Sequence, residues 1–203
     1  MDANSESPPD YWPPKNGQCE MPELKLTFLS VFLMIHRGLG GGGPKNGTSY
    51  ALVMNYVRIV DKLVIDYNLA REQMVIWAAT PNEVIGPLLV AIGHFESCVS
   101  GAVRAIDFAR RIRKDKNGPG IVPKGVAVLS DAVYKSVNDM RNSVEHLDGD
   151  ILDGTLSGGV PICLVLRPKA IELAGAQITF AELADWITQL HAIADKLAYY
   201  RES

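Results

Sequence analysis

Residues 126–147 read VAVLSDAVYKSVNDMRNSVEHL, and the spacing of their apolar residues decides the fold class. Val126, Leu129, Val133, Val137, Met140, Val144 and Leu147 recur at steps of three and four, the period that lays one stripe along a helix. A helix over about 124–147 is predicted. Upstream, Ile85, Leu88, Leu89, Ile92, Phe95, Val99, Val103 and Ile106 keep the same period. They follow Thr80-Pro81-Asn82-Glu83, a capping-box start with proline at the first helical position. Asn117-Gly118-Pro119-Gly120 ends that second helix, which spans roughly 80–116. A loop this short favours an antiparallel pair, and the two helices are expected to form the centre of a bundle.

Outward from this pair the helical reading continues. Val53, Tyr56, Val57, Val60, Leu63, Val64 and Tyr67 keep helical spacing after Thr48 and Ser49, either of which can cap. A separate short helix is expected around Glu72–Ala79. The apolar stretch Leu24 to His36 fits helix or strand. Gly38 to Pro44 reads as a flexible link, and the proline-rich residues 1–22 as a disordered or strapped-on tail. On the other side, Gly149, Gly154, Gly158 and Gly159 mark a loop. The period then changes: Ile162, Leu164 and Leu166 alternate, Arg167-Pro168-Lys169 can turn, and Ile171, Leu173 and Ile178 resume. That pattern predicts a small β-hairpin at about 161–179. Thr179-Phe180-Ala181-Glu182 is a second capping box, opening a last helix with Leu183, Ile187, Leu190, Ala194 and Leu197. The expected fold is mainly α: a four- to five-helix up-and-down bundle in one domain, 23–203, with the hairpin inserted before the last helix.

Composition narrows the function. A net charge of −3 excludes a nucleic-acid binder that works by bulk positive charge, but leaves room for a local basic patch. Cys19, Cys98 and Cys163 are odd in number and show no zinc-type spacing, which points to reduced thiols and a cytoplasmic protein. The apolar run Leu24 to Ile35 is far short of a membrane span, and the acidic start lacks a basic signal region. Neither export nor a membrane partner is expected.

The chemistry concentrates in Arg141-Asn142-Ser143-Val144-Glu145-His146. With Met140 at the centre of the buried stripe, helix geometry turns Arg141 about 100° away, Glu145 about 140°, Asn142 about 200° and His146 about 240°. All four leave the core. Arg141 can pair with Glu145, and Asn142 with His146, one turn apart. Arg141 and His146 do not converge on one phosphate within a single regular helix, so a shared site needs a second copy. The same residues also fit an ordinary exposed ion pair and a histidine placed to favour the helix dipole.

This run resembles the R-x4-6-H motif of the HEPN superfamily, small all-helical proteins that include many metal-independent RNases. The wider run through Asp148 and Ile151 is similar to a group of uncharacterised bacterial HEPN-like proteins. The resemblance implies a homodimer with a composite site acting on RNA, in a toxin–antitoxin or phage-defence setting with an antitoxin or other protein partner. It implies no cofactor and no metal. His146 would be general base or acid, Arg141 would stabilise the pentacoordinate phosphorus, Asn142 would orient His146 or donate to a phosphate oxygen, and Glu145 would position Arg141. The group often carries a Glu-Arg pair after the aspartate, where this chain has Gly149-Asp150. One phosphate-binding arginine is thus missing, and a non-catalytic module binding nucleotide, RNA or protein is the alternative.

Other features carry weaker signals. Arg110, Arg111, Arg113 and Lys114 load the end of the 80–116 helix with positive charge, as a candidate RNA-tracking surface or a solvated turn. In an antiparallel pair they lie far from Arg141 and His146. Asp148, Asp150 and Asp153 read as an acidic turn, without the full pattern of a calcium loop. Gly38 to Gly43 matches a dinucleotide fingerprint only formally, because no βαβ unit surrounds it. His94 reads as a core or interface residue, and His36 and His191 have no assignable partner.

Overall fold

The computed structural model describes residues 20–79, 85–146, 149, 152–153, 164–173 and 176–201. Its described helices are α1 (Ser30–Gly38), α2 (Gly47–Ala79), α3 (Gly86–Lys114), α4 (Asp131–Glu145) and α5 (Phe180–Ala198). Three short strands, β1 (Val165–Leu166), β2 (Ala170–Leu173) and β3 (Ala176–Thr179), precede α5. They form an antiparallel sheet in the order β1-β2-β3, with Leu166 opposite Ile171 and Ile171 opposite Ile178. The fold is a helical bundle with a small β insertion, as the periodicity predicts. The insertion has one strand more than a hairpin.

The centre of the bundle is a different pair from the one the spacing suggests. α2 runs unbroken for 33 residues, merging the two helices expected there. Residues 69–74 contain no glycine or proline, so nothing breaks the helix at Glu72. Its buried residues, among them Val53, Tyr56, Ile59, Val60, Leu63 and Tyr67, cover more than one face, because α3, α5 and the N-terminal strap all pack on it. α2 and α3 share the most extensive interface, and α4 packs against α3 and the sheet from outside. α4 itself is only 15 residues long. Val126 precedes and Leu129 ends a separate 3-10 turn, Ala127–Leu129. Ser130 is extended and caps α4, its Oγ accepting from the Val133 N–H at 3.2 Å.

Several helix starts follow local chemistry. Thr179 and Glu182 form the expected reciprocal capping box at the head of α5. The cap of α2 is Asn46, not Thr48 or Ser49: its Oδ1 accepts from both of their N–H groups at 3.0 and 3.1 Å. The capping box read at Thr80 to Glu83 lies outside the described residues, as do Cys19 and Cys163.

The ambiguous stretch after residue 22 resolves into an extended strap followed by α1. Asn68 receives the Leu24 N–H and donates to the Leu24 carbonyl. Buried Asp61 accepts the N–H groups of Leu29 and Ser30, a cap for α1 supplied from another helix. His191, buried on α5, donates from Nε2 to the Thr27 carbonyl at 2.7 Å. Tyr56 donates its hydroxyl to the Leu190 carbonyl at 2.7 Å, and Phe95 stacks on Phe180. α3 is long and apolar enough to cross a membrane by length and composition, with 39% of that window buried. Its Phe95, Val99, Val103 and Ile106 are core residues, while His94, Glu96, Arg104 and Arg110 interrupt its other faces.

Candidate functional site

α4 turns its motif out of the core as the helical phase predicts. Val137 and Met140 are buried, Arg141 and Asn142 are half-buried, and Glu145 and His146 are exposed. Arg141 donates from Nε to Glu145 Oε1 at 2.8 Å, with a second guanidinium–carboxylate bond beside it. This bidentate pair fixes the plane of the guanidinium more firmly than a single bond would. Asn142 does not reach His146 through its side chain. Its carbonyl instead accepts the His146 N–H at 2.9 Å, ending the helix. Among the described residues the imidazole of His146 has no hydrogen-bond partner. Arg141 and His146 are therefore on one helix end but not on one face. Asp148 and Asp150 lie outside the described residues.

The basic end of α3 is only partly available to a ligand. Arg110 donates to the Leu129 carbonyl and to Asp131, both at 2.9 Å, and lies over the Tyr134 ring. It fastens the start of α4 to α3, so its guanidinium is already engaged within the protein. Arg111, Arg113 and Lys114 have no ion pair among the described residues. Because Asp131 begins α4, the helix rise puts this basic end about 15 Å from Arg141 and about 22 Å from His146.

Two polar sites escape the linear reading. One is the glycine run, which is a folded loop and not a free link. Gly40, Gly42 and Gly43 take positive φ, and the Gly43 N–H donates to the Tyr200 carbonyl at 2.9 Å. The loop wraps His36 so closely that a Cβ on Gly42 would lie 2.3 Å from Nδ1. Arg201 donates to His36 Nε2 at 3.1 Å, which leaves the ring proton on a buried, unpartnered Nδ1. Arg37, Lys45 and Arg201 line a depression of about 280 Å³ over this loop.

The second site lies between α2 and α3. Asp66, 9% exposed at its side chain, is paired with Lys62 and accepts from Ser97 Oγ at 2.6 Å. His94 Nδ1 faces its other oxygen at 3.3 Å, so His94 serves a buried carboxylate and not the core. Burial pushes the Asp66 carboxyl up, but the hydrogen bonds from Lys62 and Ser97, the Lys62 charge and the His94 bond together hold it below the ordinary range. Neighbouring Cys98 is buried, and burial pushes its thiol well above the usual value, which makes it unreactive. Lys62, Asp66, Ser97 and Ser100 form a polar wall that spacing within either helix could not disclose. No family model, no curated protein and no solved structure matches the chain.

Proposed function

We infer that the end of α4 is half of a composite RNA-cleaving site, completed by a second copy of the chain and working without a metal ion. The observation that supports it most is the state of the motif. Arg141 is oriented by Glu145, and His146 on the same helix end is exposed and has no ion pair among the described residues. Histidine ordinarily titrates near neutral pH, at about 6.5. In the composite site His146 would take the proton of a ribose 2′-hydroxyl as its oxygen attacks phosphorus. The bond from phosphorus to the 5′-oxygen breaks, a second acid protonates the leaving oxygen, and the products are a 2′,3′-cyclic phosphate and a 5′-hydroxyl. Arg141 would carry the extra charge on the pentacoordinate phosphorus.

A second reading, a non-catalytic module that binds nucleotide, RNA or protein, draws on two observations. The Arg141 charge is already matched by Glu145. The large exposed apolar residues of α1 and its flanks, Phe28, Val31, Met34, Ile35 and Leu39, suit association, but none of them is on α4. Incubating purified protein with a mixed RNA pool in excess EDTA and identifying the product ends separates the two. Cyclic-phosphate and 5′-hydroxyl ends are expected for the nuclease. Retained RNA without cleavage favours the binding module.

A further inference from the structure

The cleft between α2 and α3 carries more positive charge than its own carboxylate can balance. The helices are antiparallel, so Arg58 lies opposite Arg104, Lys62 opposite Ser100 and Asp66 opposite Ser97. Gly101 lets them approach: a Cβ there would meet Leu63 Cδ2 at 2.9 Å. Above this close crossing the six polar side chains line a cleft of about 120 Å³. Asp66 neutralises Lys62. Arg58 and Arg104 have no hydrogen bond or ion pair among the described residues, although both border the same end of the cleft. Two like charges facing one space repel each other unless an anion lies between them.

Ser97 excludes the obvious catalytic reading of the cluster. Its hydroxyl donates to Asp66 and accepts from Lys62 Nζ, both at 2.6 Å. Lys62 donates to both Asp66 and Ser97, so its Nζ is engaged as a donor, and the serine proton is already given to a carboxylate that its other partners stabilise as an acceptor. The arrangement suits binding. Ser97 and Lys62 are braced by Asp66, Ser100 offers a further hydroxyl, and the arginines close the far end.

We propose that this cleft is a binding site for the dianionic phosphate group of a small phosphate monoester. The two uncompensated arginines match a monoester, which carries −1.5 to −2 charges near neutral pH, and guanidinium groups bind phosphate through paired donors. A cleft of about 120 Å³ accommodates a phosphoryl group, and Arg58 and Arg104, its two unpaired cations among the described residues, are fewer than the run of phosphate contacts a nucleic-acid backbone makes. The site stands independently of the function read from α4.

Calorimetric titration of the full chain tests this with inorganic phosphate, adenosine monophosphate, adenosine and a short RNA bearing a 5′-hydroxyl. Phosphate and the monophosphate should bind and compete with one another, and adenosine should not bind. Arg58→Ala and Arg104→Ala should each weaken binding about tenfold. Both residues are exposed, so the double variant should melt like wild type without ligand. Failure of phosphate to bind overturns the proposal. Unchanged affinity in the double variant also overturns it, by putting the anion elsewhere, for example over the glycine loop. Displacement of phosphate by the 5′-hydroxyl RNA would assign the cleft to a polymer and overturn the monoester.

Discussion

At the end of α4, Arg141 meets Glu145 one turn away, with side chains 33% and 40% exposed. Between α2 and α3, Asp66 is 9% exposed at its side chain and draws Lys62 from its own helix and His94 and Ser97 from the neighbouring one. The first cluster is made by local spacing in solvent, where an ion pair adds a few tenths of a kcal/mol. The second is made by tertiary packing around a buried carboxylate, where a lost donor leaves Asp66 less compensated and a lost Asp66 leaves three donors without their acceptor. Charged residues on a helix end can thus be dispensable to the fold and free for chemistry. Those in the cleft serve the fold and a ligand together.

The largest effect expected is in the cleft. Asp66→Ala should cost about 2–3 kcal/mol in urea unfolding, because Lys62, Ser97 and His94 all lose their acceptor. The comparison breaks if that cost is no greater than for Glu145→Ala. Gly42→Ala should follow at about 1–2 kcal/mol, from a positive φ of 129° and the collision with His36. A wild-type melting temperature in that variant would restore the flexible-link reading of the loop.

Acid sharpens the contrast. The folded Asp66 carboxyl titrates below its ordinary value, so its contribution is complete above the unfolded pKa of about 3.9 and disappears as pH falls through the lower folded value. The stability gap between wild type and Asp66→Asn should therefore close as pH falls below about 4. A gap that widened over that acid range would reverse the assigned sign. The smallest effect belongs to Glu145→Ala, at about 0.2–0.5 kcal/mol. If that variant also retains full RNA cleavage, Glu145 has no role in positioning Arg141.

What the chain discloses in advance follows from the range of the forces involved. The stripe of α4, its outward-facing motif and the capping box at Thr179 depend on residues within a turn of one another, so spacing reveals them. The hairpin was legible from its change of period, but the pairing of β3 with β2 required knowing where Ala176 to Thr179 fold back. Spacing puts the centre of the bundle at α3 and α4 and not at α2 and α3, because α2 buries several faces. A helix surrounded on many sides has no single stripe to recognise. Asp61 capping α1 and Asp66 holding Ser97 join residues more than thirty positions apart. The glycine loop read as slack because its order depends on His36 and on the chain's end at Tyr200 and Arg201. Asn46 was recognisable in principle as a helix-capping residue two positions before Thr48.

The decisive measurement compares RNA cleavage by wild type and His146→Ala in EDTA, with melting temperatures taken on the same samples. His146 is exposed and ends its helix, so both proteins should melt alike. Wild type alone should release cyclic-phosphate ends, with a loss of at least about a hundredfold in the variant. Equal cleavage by the two proteins, or none by either, would contradict a nuclease site at the end of α4.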